Sequence, residues 1–162
     1  LSFFKDKISD CIKSKKSISV TTHIDCDGLT SGSIITKALI RAGARCTVRT
    51  SKEFSKKVID SLKKDSRDFH VITDLAGGFA NSLDESLGEN WIVLDHHQIP
   101  EKEHDNQKVI NAWKYDIDGG TEICAGGMAY LAAMALDDKN SELSAIAVVS
   151  ALGDRQDQGE RK

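Results

Sequence analysis

Proline occurs once among the 162 residues, at Pro100, and no Pro-, Gly- or Ser-rich linker or internal repeat breaks the chain. Nothing therefore marks an internal boundary, and the length suits one domain with a core of its own. No apolar run approaches the roughly 20 residues that cross a bilayer, so no membrane partner is expected. The opening stretch, LSFFKDKISDCIKSKK, is too interrupted by charge to act as a signal peptide. Paired cysteine spacings are lacking too. Cys11, Cys26, Cys46 and Cys124 stand far apart, which fits a reduced, cytoplasmic protein better than a disulfide scaffold. There is also no excess of basic charge. With 22 Lys and Arg against 25 Asp and Glu the net charge is −3, unlike a protein that coats DNA generically. An acidic balance does not exclude a phosphate ligand, because carboxylates that hold cations present positive charge once the cations are in place.

What the chain has instead is alternation. Phe3, Phe4, Ile8, Cys11 and Ile12 recur at helical spacing. A strand is expected at 18–23, a helix at 31–43 ending on Gly43, a strand at 46–50 and a helix around 53–64. Strands at 69–74, 91–95 and 108–113 follow. Between and after them come a short helical piece near 82–88, an exposed polar loop at 97–107, and helices at 124–136 and 141–152. Strands alternating with helices imply right-handed crossovers. The expected fold class is α/β, a mostly parallel five- or six-stranded sheet with helices on both faces.

Acids gather at the ends of these strands. His23, Asp25 and Asp27 leave the first, in HIDCDG; Asp74 ends FHVITD; Asp95, His96 and His97 end WIVLDHH. Asp154 follows Gly153 after the last helix. In open α/β sheets the carboxyl ends of the strands form the ligand crevice. If the first strand stays extended through Asp27, the alternate spacing directs His23, Asp25 and Asp27 to one side. Taken alone, Asp74 reads as a helix cap or turn former, and adjacent histidines in a polar loop read as solvated. Cys26, between two acids whose charge disfavours a thiolate, reads as a small packing residue. The whole set reads differently, because clustered carboxylates without compensation cost several kcal/mol.

A cation removes that cost. Oxygen ligands mixed with imidazole, without thiolate, suit Mn²⁺ or a similar divalent ion better than a closed structural zinc site. The supply of acids and histidines exceeds the needs of one ion. Two ions roughly 3.5–4 Å apart, sharing a carboxylate, would use it, as in phosphoester hydrolysis.

These residues resemble the DHH phosphoesterase superfamily. Its first motif stands here as THIDCDG, its second as Asp74 in VITDLA, its third as LDHH at 94–97 and its fourth as ALGDRQD at 151–157. The segment GGTEICAGGMAYLAAMAL is similar to the RecJ-like branch, above all its archaeal-type single-strand-specific nucleases. By position, the resemblance implies that His23 and Asp25 hold one ion, that Asp27, His96 and Asp154 hold the other, and that Asp74 bridges them. It implies that His97 faces the scissile phosphate and that Asp95 orients the motif behind it. It further implies a catalytic domain across 1–162 that uses two Mn²⁺, or Mg²⁺, to hydrolyse single-stranded DNA or RNA, with replication or repair partners.

Members of the family continue into a smaller domain with a glycine-rich, histidine-containing substrate-binding motif. The sequence ends at GERK soon after the fourth motif, so that domain is not expected within these residues. Short oligonucleotides, cyclic dinucleotides or a nucleotide monophosphate are alternative substrates, and a replisome scaffold without catalysis is the alternative from another class. Inorganic pyrophosphatase fits less well, since that branch spaces its first motif differently. Gly28 reads as a turn into a helix whose first amides favour an anion, or as a turn capped by Thr30 or Ser31. Gly126 and Gly127 admit either close helix packing or a nucleotide phosphate. Trp113 and Tyr115 read as half-buried aromatics or as a platform for a base. Lys13, Lys15 and Lys16 read as a solvated helix end.

Overall fold

The computed structural model describes residues 1–158. Within them the helices are α1 (Ser2–Lys13), α2 (Cys26–Arg41), α3 (Lys56–Lys64), α4 (Ala80–Leu87), α5 (Ala125–Leu136) and α6 (Ser144–Gly153). The strands are β1 (Ser17–His23), β2 (Arg45–Ser51), β3 (Phe69–Thr73), β4 (Trp91–Asp95) and β5 (Val109–Asn111). They form one five-stranded sheet in the order β2-β1-β3-β4-β5, and every neighbouring pair is parallel. The α/β class expected from the sequence is the one adopted.

Helices cover both faces of the sheet, which is why β3 and β4 are buried along their whole length. Strand alternation sorts the side chains into two cores. Ile18, Val20, Val71, Ile92 and Leu94 pack with Phe4 and Ile8 of α1, Ile35 and Leu39 of α2, and Ala129 of α5. Ile72, Trp91 and Val93 pack on the other side with Ile59 and Leu62 of α3 and Leu83 of α4. Each fully buried Val, Ile, Leu or Phe contributes about 1.5–3 kcal/mol. No helix among the described residues is long and apolar enough to cross a membrane.

The strand order contains a reversal. From β1 the chain steps outward to β2, then crosses back over β1 to reach β3. Such a reversal opens a crevice at the carboxyl ends of the two strands between which it occurs, here β1 and β3.

Several boundaries depart from the sequence reading for local reasons. The extended run ends at His23, so spacing along a strand is not what aligns Asp25 and Asp27. Asp25 instead caps α2: its carboxylate accepts from Gly28 N–H at 2.8 Å. Asp74 falls outside β3, in left-handed backbone at φ 58°. β5 is shorter than the expected 108–113 because the Asn111 side chain accepts from Trp113 N–H and turns Ala112–Tyr115 into a 3₁₀ helix. α3 begins at Lys56, not near 53. The helix expected at 141–152 is divided into a 3₁₀ segment, Asp138–Leu143, and α6. The loop at 97–107 is not wholly exposed, since it holds the 3₁₀ turn Glu101–Glu103 and buries Glu103. Lys13, Lys15 and Lys16 are exposed at the end of α1, as a solvated helix end requires. The terminal GERK lies outside the described residues.

Candidate metal centre

The crevice collects the acids and imidazoles of four chain segments. Among the described residues, His23, Asp25 and Asp74 form one group in which the ligand atoms lie within 4.8 Å of one another. Asp27, His96 and Asp154 form a second by the same measure, and Asp74, His96 and His97 a third. Asp74 lies between the first two. Its Oδ2 is 3.6 Å from His23 Nδ1, and its Oδ1 is 3.2 Å from His96 Nε2.

Both central histidines are held from behind by a backbone carbonyl. His23 Nε2 is 3.1 Å from the Lys52 carbonyl, and His96 Nδ1 is 2.7 Å from that of Gly119. A carbonyl only accepts, so each of these nitrogens carries the proton. The other nitrogen of each ring faces carboxylates: His23 Nδ1 stands 2.7 Å from Asp25, and His96 Nε2 stands 3.2 Å from Asp74 and 3.4 Å from Asp27. A protonated nitrogen there donates to the acids, and a deprotonated one would offer its lone pair to an ion held among them. Imidazoles fixed in this way are the usual form of a metal-ligating histidine.

The carboxylates fall into two kinds. Asp27 is well supplied with donors: Ala125 N–H and Gly126 N–H at 2.8 Å each, and the Ser150 hydroxyl. The N-terminus of α5 thus meets an aspartate of its own chain. Asp74 is the opposite case. It is buried, its backbone is in the left-handed region, and its Oδ2 has no hydrogen-bond partner among the described residues. Burial, together with the charges of Asp27 and Asp25, pushes its pKa up to about 6 against the pull of His96. Burial would lower the pKa of His96, yet its bonds to Asp74 and Gly119 and the charges of Asp27 and Asp154 lift it to about 9. An orphaned buried carboxylate oxygen, set among further acids and two imidazole nitrogens that a bound ion would engage in place of a proton, fits a divalent cation.

Asp95 has another task. Burial opposes its ionisation, but donors from His97 and Gly77 hold its pKa below the ordinary carboxylate range. Its Oδ1 accepts from His96 N–H at 2.9 Å and from the His97 ring at 2.8 Å, and its Oδ2 accepts from Gly77 N–H at 2.8 Å. The hydrogen bond from the His97 ring to Asp95 raises the pKa of His97. That ring is 60% exposed at the mouth of the crevice. Asp154 ends α6 with Oδ2 3.7 Å from His96 Nδ1 and is held by Gln156 Nε2 at 2.9 Å.

The glycines serve close approach here. A Cβ on Gly28 would stand 2.5 Å from His23, and one on Gly126 only 1.9 Å from Ser150 Oγ. Close packing therefore accounts for Gly126, and neither Thr30 nor Ser31 caps α2: both hydroxyls bond to carbonyls of its first turn. Trp113 is half-buried and donates to the His96 carbonyl at 2.9 Å, whereas Tyr115 is exposed. Cys26 is exposed, not packed away, although its sulfur lies against Gly153. Sequence reasoning missed Ser150, Gly119 and Gly77. Gly119 and Gly77 act through main-chain atoms, which leave no residue-type signal, and Ser150 reaches Asp27 across 123 positions of sequence.

Comparison with known proteins places this geometry in a family. The sequence matches the DHH family, N-terminal domain, over residues 17–153. It is 32% identical over 164 aligned positions to the uncharacterized protein MJ0831 of Methanocaldococcus jannaschii, covering 93% of this chain and 37% of that protein. The fold is similar to that of exonuclease RecJ bound to manganese, with a TM-score of 0.78 at 20% identity over 93% of this chain and 43% of that one. It is also similar to CDC45 from Entamoeba histolytica, with a TM-score of 0.62 at 17% identity over 94% of this chain and 32% of that one. This chain thus spans well under half the length of each of these proteins, and over that span it belongs to the DHH phosphoesterase superfamily, with the fold of a RecJ-like DHH N-terminal domain.

Proposed function

We propose that this chain is the catalytic domain of a metal-dependent exonuclease that hydrolyses single-stranded DNA or RNA with two divalent ions, Mn²⁺ foremost and Mg²⁺ as the substitute. The observation that carries the reading is the placement of Asp74, buried, with an orphaned oxygen, between two separate ligand groups. His23 and Asp25 would hold one ion, Asp27, His96 and Asp154 the other, and Asp74 both. Bound there, the ions would make water a nucleophile at neutral pH and neutralise charge on the leaving oxygen.

The chain's own residues place the substrate. Asp95 accepts a hydrogen bond from His97 Nδ1–H and favours the cationic form of that ring, whose exposed Nε2–H would then donate to a phosphate oxygen. A cavity of about 370 Å³ opens beside it, lined by His96, His97, Gln98, Trp113, Gly119 and Thr121 among others. That volume lies within the range of pockets that take a nucleotide-sized ligand. The likeness to a RecJ exonuclease bound to manganese supports this substrate class and this metal. Free cysteines throughout the described residues suit a reducing compartment such as the cytoplasm.

Titration calorimetry with Mn²⁺ tests the centre: two ions are expected, and heat unchanged in Asp74→Ala would sink it. End-labelled single-stranded DNA and RNA, incubated with Mn²⁺ and the full-length protein, test the substrate. Inert single strands beside rapid dinucleotide hydrolysis would select the reading in which short oligonucleotides, cyclic dinucleotides or nucleotides are cleaved. The likeness to CDC45 favours a second reading, a replisome scaffold. The complete set of ligand groups speaks for catalysis, and no turnover of any of these substrates would leave the scaffold.

A further inference from the structure

We infer that Ser150 is a positioning residue of the metal centre: its hydroxyl saturates one oxygen of Asp27 and so dedicates the other to an ion. The inference rests on the two-ion reading above. Ser150 belongs to α6, is fully buried, and bonds to Asp27 Oδ1. The same oxygen accepts Gly126 N–H at 2.8 Å. Oδ2 accepts Ala125 N–H at 2.8 Å and stands 3.4 Å from His96 Nε2. An ionised carboxylate offers about four acceptor positions, two on each oxygen. Oδ1 has both filled by these donors, while Oδ2 takes one backbone donor and faces His96, with the Cys124 side chain also against this carboxylate. Asp27 is thereby arranged to take an ion through Oδ2 alone, and the donors on Oδ1 keep the carboxylate from swinging round to chelate it.

Proton directions agree with this role. An ionised carboxylate only accepts, so Ser150 gives its proton to Asp27. Its own oxygen lies 2.7 Å from Thr30 Oγ1 on α2, whose single proton is shared between Ser150 and the Cys26 carbonyl at 2.6 Å. Space for the hydroxyl exists because residue 126 is glycine; a Cβ there would come within 1.9 Å of Ser150 Oγ. Helices α2, α5 and α6 therefore converge on one carboxylate, and the hydroxyl of Ser150 is where they meet.

The test is Mn²⁺ binding to the full chain, followed by calorimetry and by the electron paramagnetic resonance signal of coupled Mn²⁺ pairs. Loss of a group that orients a ligand weakens metal binding about 10- to 100-fold. In Ser150→Ala one ion is expected to bind at least tenfold more weakly and the other unchanged. At limiting Mn²⁺ the coupled signal should give way to that of isolated ions. Thr30→Val, at a half-buried position, should shift the same ion in the same direction by a smaller factor, and it carries the test should Ser150→Ala fold poorly. Two ions bound as in the wild type by both variants would overturn the assignment. So would equal weakening of both ions with a matching fall in metal-free melting temperature, since that is the mark of lost packing alone. A wild-type chain that binds fewer than two ions would overturn the two-ion reading itself, and this assignment with it.

Discussion

His96 turns Nε2 towards Asp74 Oδ1 at 3.2 Å while its Nδ1 is fastened to the Gly119 carbonyl at 2.7 Å, so the ring bridges the backbone and the most deeply stranded carboxylate of the crevice. Asp74 has an oxygen without a hydrogen-bond partner among the described residues and the charges of Asp27 and Asp25 nearby. In the metal-free chain this carboxylate is a burden.

Replacing it should separate stability from function. Asp74→Asn removes the buried charge and keeps the shape, and is expected to stabilise the metal-free chain by about 1–2 kcal/mol. The same change should abolish the stabilisation that Mn²⁺ gives the wild type, which at 100 times the dissociation constant is about 2.7 kcal/mol. Urea unfolding with and without Mn²⁺ measures both. A variant less stable than wild type in chelator would contradict the account of Asp74.

His97 should depend on Asp95 for its orientation and not for its presence. Asp95→Asn leaves the fold's main contacts but exchanges the charged acceptor of the His97 ring for a neutral amide. Turnover is expected to fall about 10- to 100-fold with Mn²⁺ affinity nearly unchanged. His97→Gln should act in the same direction, and the double variant should add little to either single change. Full additivity in the cycle would show that the two residues act separately.

The sequence made the convergence of these groups legible, since parallel α/β order brings the ends of β1, β3 and β4 to one crevice whatever the details of each turn. It did not show how each side chain arrives. Asp25 and Asp27 alternate as though on a strand, but Asp25 caps α2 and Asp27 lies within its first turn. What holds Asp27 comes from 98 to 123 positions away, partly through backbone amides of α5. The turn at Asn111 is local, yet its Asn side-chain cap competes with strand propensity in VINAW, and pattern alone does not settle that contest.

Trp113 should matter through its indole N–H. That group donates to the His96 carbonyl at 2.9 Å, which helps to hold the backbone that carries the ring. Trp113→Phe keeps the aromatic bulk and leaves the carbonyl short of a donor, at a cost of about 1 kcal/mol in thermal or urea unfolding. Gly119→Ala should be far more damaging, because its Cβ would lie 1.8 Å from the same carbonyl oxygen. A Gly119→Ala chain as stable as Trp113→Phe would show that this loop is free to move away.

Acid should weaken the fold through a histidine that has no part in the crevice. His70 lies on β3, only 3% exposed, with Nδ1 2.8 Å from Ser19 Oγ. Burial drives its pKa down to about 4. The unfolded chain regains the ordinary value near 6.5, so between these values the unfolded state binds the extra proton. Stability contributed by the neutral ring is therefore complete above about pH 6.5 and declines as pH falls towards 4. The gap corresponds to about 3 kcal/mol in all. His70→Gln keeps a polar partner for Ser19 and lacks the titration. Other acids titrate in the same range, so the informative quantity is the difference in unfolding free energy between wild type and His70→Gln. From pH 7.5 to 4.5 that difference should move against the wild type by about 2–3 kcal/mol, and a difference that stays flat would mean that the buried ring gains its proton without cost.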